Sequence, residues 1–214
     1  MRTTKQQKKA LEIIEELKRI YPEAECALKW NGEPWKLLVM GRLSAQCTDK
    51  RVNIVCEELF DRYRSARELA DAPLEEIETI IRPCGLYKTK AASIKDACRM
   101  LEDDFGGVLP DDMDTLLKFS GVGRKIANLL LGDVYKKPAI VADTHCIRIC
   151  GRFGFYDEEL KDPAKVEKIM AAIIPPDEQS DFCHRVVQFG RDICTARSPK
   201  CDTCTMTACK KHKR

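Results

Sequence analysis

Apolar residues recur at helical spacing along most of the chain. Ala10, Leu11, Ile13, Ile14 and Leu17 form one stripe, and Val52, Val55, Cys56, Leu59, Phe60 and Tyr63 form another. Ile94, Ala97, Cys98 and Leu101 repeat the spacing, as do Val166, Ile169, Met170 and Ile173. Each stripe predicts an amphipathic helix with its apolar side against a core. Asp49 is placed to cap the second of these helices, and Pro163 suits the first turn of the last. No convincing alternating pattern marks a strand, and the short apolar run 139–142 is the single candidate. Gly32-Glu33-Pro34, Pro83-Cys84-Gly85, Gly106-Gly107 and Pro175-Pro176 punctuate the rest. The pattern predicts an all-α protein of about ten helices joined by short loops.

Composition adds to this picture mainly through where the charge lies. The chain has 214 residues and a formal net charge of +3. Residues 1–20 carry a net +3 and residues 185–214 a net +6, which leaves the middle of the chain acidic. Basic ends point to a polyanionic partner or to solubilising tails. No uncharged run exceeds the eight residues of 169–176, so the sequence holds nothing long enough to span a membrane. Glu12, Glu15 and Glu16 argue against a transit peptide, and the expectation is an intracellular protein. Its 12 cysteines are then expected as thiols or metal ligands, not disulfides.

Two segments carry candidate chemistry. In the first, 112–119 reads as a short helix, Ser120-Gly121-Val122-Gly123 as a tight turn and 124–131 as a second helix. The turn amides and the positive end of the second helix make an anion site suited to a phosphate. A plain packing joint would explain the same glycines. Lys125 falls in the first turn of the second helix, where the dipole disfavours another positive charge. With partial desolvation its amine would be available as a nucleophile, while a solvated surface lysine is the plainer alternative. In the second segment, Cys194, Cys201, Cys204 and Cys209 give the spacing C-x6-C-x2-C-x4-C, enough to surround one metal centre. Structural zinc more typically pairs two C-x2-C units across a longer gap, and the bacterial ferredoxin run is spaced differently.

Taken in order, the motifs resemble the endonuclease III family over nearly the whole chain. Phe119-Ser-Gly-Val-Gly-Arg-Lys-Ile-Ala127 is similar to its helix-hairpin-helix element, and Val141-Ala-Asp-Thr-His145 to the loop that carries its catalytic aspartate. Leu43-Ser-Ala-Gln-Cys-Thr-Asp49 and Gly85-Leu-Tyr87 match two DNA-inserting loops. The resemblance implies Lys125 and Asp143 as catalytic residues. It implies Gln46 as the amide that meets the orphaned base and Leu86 as an apolar wedge. Read as isolated residues, Gln46 would be an ordinary helix-end residue, Leu86 a core leucine and Asp143 the cap of the helix that follows.

The resemblance also implies a [4Fe–4S] cluster on the four cysteines, although the family usually reads C-x6-C-x2-C-x5-C and this chain is one residue shorter in the last interval. Backbone phosphates would be met by Gly121, Val122 and Gly123, and by Arg197 and Lys200 inside the cysteine loop.

The expected architecture is two helical domains with DNA in the cleft between them. Residues 23–135 would form a helical barrel ending in the hairpin; 1–22 plus 136–214 would carry the cluster, with Asp143 facing Lys125. The implied function is a bifunctional DNA glycosylase and AP lyase of base-excision repair, acting on damaged, chiefly oxidised, pyrimidines. The expected partner is double-stranded DNA with damaged bases or abasic sites, met by a cytoplasmic, nucleoid-associated monomer. Rival readings are a monofunctional glycosylase of the same superfamily, whose members generally lack the lysine, and a non-enzymatic DNA-binding or redox module, which would not need Lys125 and Asp143 together.

Overall fold

The computed structural model describes residues 4–23 and 25–209. Arg2 and the basic residues of 210–214, part of the two basic ends, lie outside the described residues. Among the described residues eleven α-helices follow one another: α1 (Lys5–Ile20), α2 (Pro34–Leu43), α3 (Asp49–Arg62), α4 (Ala66–Asp71), α5 (Leu74–Ile81), α6 (Tyr87–Phe105), α7 (Met113–Leu116), α8 (Arg124–Asp133), α9 (Thr144–Phe153), α10 (Pro163–Ile173) and α11 (Gln179–Asp192). Short 3-10 turns occupy Arg82–Cys84, Pro176–Glu178 and Cys201–Thr203. Among the described residues there is no strand, and no helix is long and apolar enough to cross a membrane.

Local chemistry sets the helix ends. Thr4 and Gln7 form a reciprocal capping box on α1, and Asp162 caps α10 ahead of Pro163. The cap of α3 is Thr48, whose hydroxyl accepts from the Arg51 amide at 3.3 Å; Asp49 sits one residue inside, in the first turn. Asp49 is therefore not the cap the pattern suggested. The first helix of the hairpin is also shorter than 112–119, because Asp112 caps it and it closes at Leu116.

The apolar stripes are largely buried as their period demands. Ala10, Ile13, Ile14 and Leu17 are buried, but Leu11 is 44% exposed because it points off their face. Ala139, Ile140, Val141 and Ala142 are buried without forming a strand. Among the described residues no strand lies alongside them, and the Val141 amide donates instead to Cys183 Sγ at 3.3 Å.

The chain divides into two compact units. One is Cys26–Tyr135; the other joins the segment up to Glu25 to the chain from Lys136 onward. In Cys26–Tyr135, α6 packs on α4 and α5, while α2 packs on α8, α6 and α3. Lys95 and Arg99 of α6 donate to carbonyls at the end of α4, where backbone acceptors lack helical partners. In the other unit, α11 packs on α9 and α1. The α9–α11 contact needs Gly190: a Cβ there would come within 2.4 Å of His145 Nδ1 and 2.7 Å of Ile149 Cδ1.

Candidate active site

The hairpin turn is held by backbone bonds, Phe119 N–H to Leu116 and Val122 N–H to Phe119. Gly121 sits at φ +77°, a left-handed conformation that side chains disfavour. Gly123 is the N-cap of α8, and the helix begins without a side-chain cap. The start of α8 therefore keeps its anion-binding character. Gly121, Gly123 and Lys125 are exposed, whereas Val122 is buried, so only its backbone could meet a phosphate. Lys125 is held at the surface, where a bound duplex can reach its amine.

Beneath the turn lies a residue the sequence reading missed. A Cβ on Gly121 would come 2.3 Å from Arg42 Nε and 2.5 Å from its Cδ. Arg42 Nε donates to Ser93 Oγ at 2.7 Å, which fixes this cation against the hairpin. No local pattern links residue 42 to residue 121.

Gln46 lies between α2 and α3, and Leu86 directly precedes α6. Both are non-glycine residues in the left-handed region, at φ +53° and +51°. Such backbones are strained by about 1–3 kcal/mol and cluster at functional sites. Leu86 is 56% exposed, not the core leucine of the isolated reading. Both lie in the Cys26–Tyr135 unit with the hairpin and Lys125.

In the other unit Asp143 is the N-cap of α9, its Oδ1 accepting from the Cys146 amide at 2.7 Å. His145 packs under Gly190 and meets Arg148 Nη2 at 3.3 Å.

The cysteine loop is fastened to the same helix. Arg152 donates to the carbonyls of Cys194, Thr195 and Ala196 and to Cys194 Sγ at 3.3 Å. Arg148 reaches the carbonyls of Gly190 and Cys194, and Cys209 Sγ donates to the Arg152 carbonyl. Two arginines at i, i+4 on α9 were the available signal for this clamp. Met206, fully buried, anchors the loop from inside. Arg197 and Lys200 are exposed on its surface.

Cys194, Cys201, Cys204 and Cys209 line one cavity of about 80 Å³ with Phe153, Phe189 and Met206. Burial pushes the Cys204 thiol up; the Met206 backbone opposes this, and the neighbouring Cys209, Cys194 and Cys201 add to the rise. Four ionised thiolates here need a cationic centre among them.

Residues 39–176 match the HhH-GPD superfamily base excision DNA repair protein family. Endonuclease III of Bacillus subtilis is 39% identical over 90% of this chain and 87% of its own. The chain belongs to the endonuclease III family. Residues 194–207 match the iron–sulfur binding domain of endonuclease III, a span that stops two residues short of Cys209. The fold is similar to a non-covalent endonuclease III–DNA complex, with a TM-score of 0.90 and 39% identity over 99% of this chain and 97% of that one. A trapped endonuclease III–DNA covalent intermediate, an estranged-adenine complex, gives 0.89 at 39% identity, covering 99% and 98%. The family read from the motifs is thus borne out, as are its helical fold and iron–sulfur centre.

Proposed function

We propose that this member of the endonuclease III family is a bifunctional DNA glycosylase and AP lyase that removes damaged, chiefly oxidised, pyrimidines from double-stranded DNA. The observation that carries the reading is Lys125, exposed on the first turn of a helix with no side-chain cap, beside a left-handed glycine turn. An amine there can reach a sugar whose phosphate is held by the backbone of Gly121, Val122 and Gly123.

Gln46 and Leu86 enter the duplex as the damaged nucleotide leaves the stack, a step costing a few kcal/mol that damage reduces. The neutral amine of Lys125 attacks C1′. The C1′–base bond breaks, the base departs with a proton, and the opened sugar is left as a Schiff base on Nζ. The iminium acidifies C2′; loss of that proton expels the 3′ phosphate by β-elimination. Asp143, with one oxygen committed to its helix, offers the other to the developing positive charge and to proton movements at the amine.

Cys194, Cys201, Cys204 and Cys209 hold the [4Fe–4S] cluster, which supplies order to the loop and no electron transfer for base removal. Arg197 and Lys200 on that loop meet phosphates. The enzyme works as a cytoplasmic monomer associated with the nucleoid. Borohydride should trap a covalent adduct on an abasic or oxidised-pyrimidine duplex, and Lys125→Ala should abolish trapping and strand cleavage while lesion binding persists. Undiminished trapping in that variant would falsify the assignment.

A further inference from the structure

Lys90, on the first turn of α6, is the one lysine among the described residues with no solvent exposure. Its Nζ donates to two backbone carbonyls, Leu43 and Cys84, at 2.8 Å each. Leu43 is the last residue of α2, and Cys84 the last of the Arg82–Cys84 turn. Carbonyls at helix ends lack helical partners and carry partial negative charge, so one ammonium satisfies both. The thiols of Cys47 and Cys84 also face it; burial pulls Lys90 below the usual lysine range, and those thiols oppose that pull.

A buried ammonium is a costly way to join two loops, and apolar side chains would pack there more cheaply. What lies beyond each carbonyl explains its use. Three residues after Leu43 comes Gln46 at φ +53°, and two residues after Cys84 comes Leu86 at φ +51°, both exposed. A strained backbone persists only when its surroundings over-determine it. One atom here holds the base of both strained loops.

We infer that Lys90 is the positioning residue for both DNA-inserting side chains, fixing the Gln46 loop against the Leu86 loop so that they enter the duplex as one unit. The inference rests on the reading of Gln46 and Leu86 given above.

The test uses the cluster-loaded protein with Lys90→Met on a duplex carrying an oxidised pyrimidine opposite 2-aminopurine, whose fluorescence reports unstacking of the orphaned partner. Excision from the paired duplex should fall by about tenfold or more and the fluorescence rise should vanish, while cleavage of an abasic site in an unpaired bubble stays within about twofold of the parent. In a Gln46→Ala, Leu86→Ala background, Lys90→Met should add no further loss, because it acts through those residues. Lys90→Gln, which keeps donors on a shorter stem, should fall between parent and Lys90→Met, and it carries the same comparison if the methionine variant does not fold. An additive loss in the double background, or equal loss on paired and unpaired substrates, overturns the assignment. If the alanine variants abolish the fluorescence rise while neither Lys90 variant alters it, the Lys90 role alone fails. If the alanine variants leave the rise intact, the insertion reading fails and takes this one with it.

Discussion

The two glycines of the hairpin are interchangeable in the motif but not in space. Gly121→Ala meets two penalties. At φ +77° a Cβ is unfavourable by roughly 1–2 kcal/mol. The same Cβ would sit 2.3 Å from Arg42 Nε, so the arginine must move and give up its 2.7 Å bond to Ser93. Loss of that charge-assisted bond, softened because Arg42 is half-buried and can rehydrate, contributes about 1–2 kcal/mol. The expected destabilisation is about 3 kcal/mol, or a fall of roughly 6–12 °C in melting temperature. Gly123→Ala differs: its φ is −100° and a Cβ meets nothing within 4 Å. Only its modest advantage as a cap is lost, at most about 1 kcal/mol. Thermal melts followed by helical circular dichroism compare the two variants directly. Binding to damaged and undamaged duplexes, measured in parallel, should weaken by the same factor in Gly121→Ala, since a phosphate contact carries no base information. Equal melting temperatures for the two variants would refute the geometric argument, and loss of lesion preference alone would refute the phosphate role.

Three further outcomes separate chemistry from scaffold. Asp143→Asn should keep stability, because asparagine caps as well as aspartate, yet lose most base excision; Asp143→Ala should lose excision and also about 1 kcal/mol of stability. Full activity in the asparagine variant would leave Asp143 a cap and nothing more. Arg197→Ala should reduce the slope of log affinity against log salt by about one, read by titration at several salt concentrations, and an unchanged slope would remove Arg197 from the interface. Purified protein should carry about four irons and four labile sulfides per chain. Cys201→Ser should lose them, and DNA affinity with them, before helicity falls, because the last α-helix ends at Asp192 and the loop itself holds only the short turn Cys201–Thr203. Stoichiometric zinc in anaerobically prepared protein would overturn the cluster.

Local features were legible along the chain. Helix period placed Ile13, Leu17, Val52, Leu59, Ile94 and Leu101 on buried faces, because a side chain's direction follows from its position in the turn. Four cysteines within sixteen residues could share one centre whatever the rest of the chain did. Motif order was enough to name the family. Tertiary structure decided what depends on residues distant in sequence. Whether Leu86 is core or exposed, and that Gln46 and Leu86 share a left-handed backbone, follows from how α2, α6 and the Arg82–Cys84 turn meet. That Gly121 is tightly packed and Gly123 open depends on Arg42, some eighty residues earlier. Lys90 reads in sequence as one more helix lysine, and its role is set by two carbonyls, one of them 47 residues away. Periodicity fixes which way a side chain points along its own helix, but the partner it finds there is chosen by packing between segments, and no local pattern encodes that.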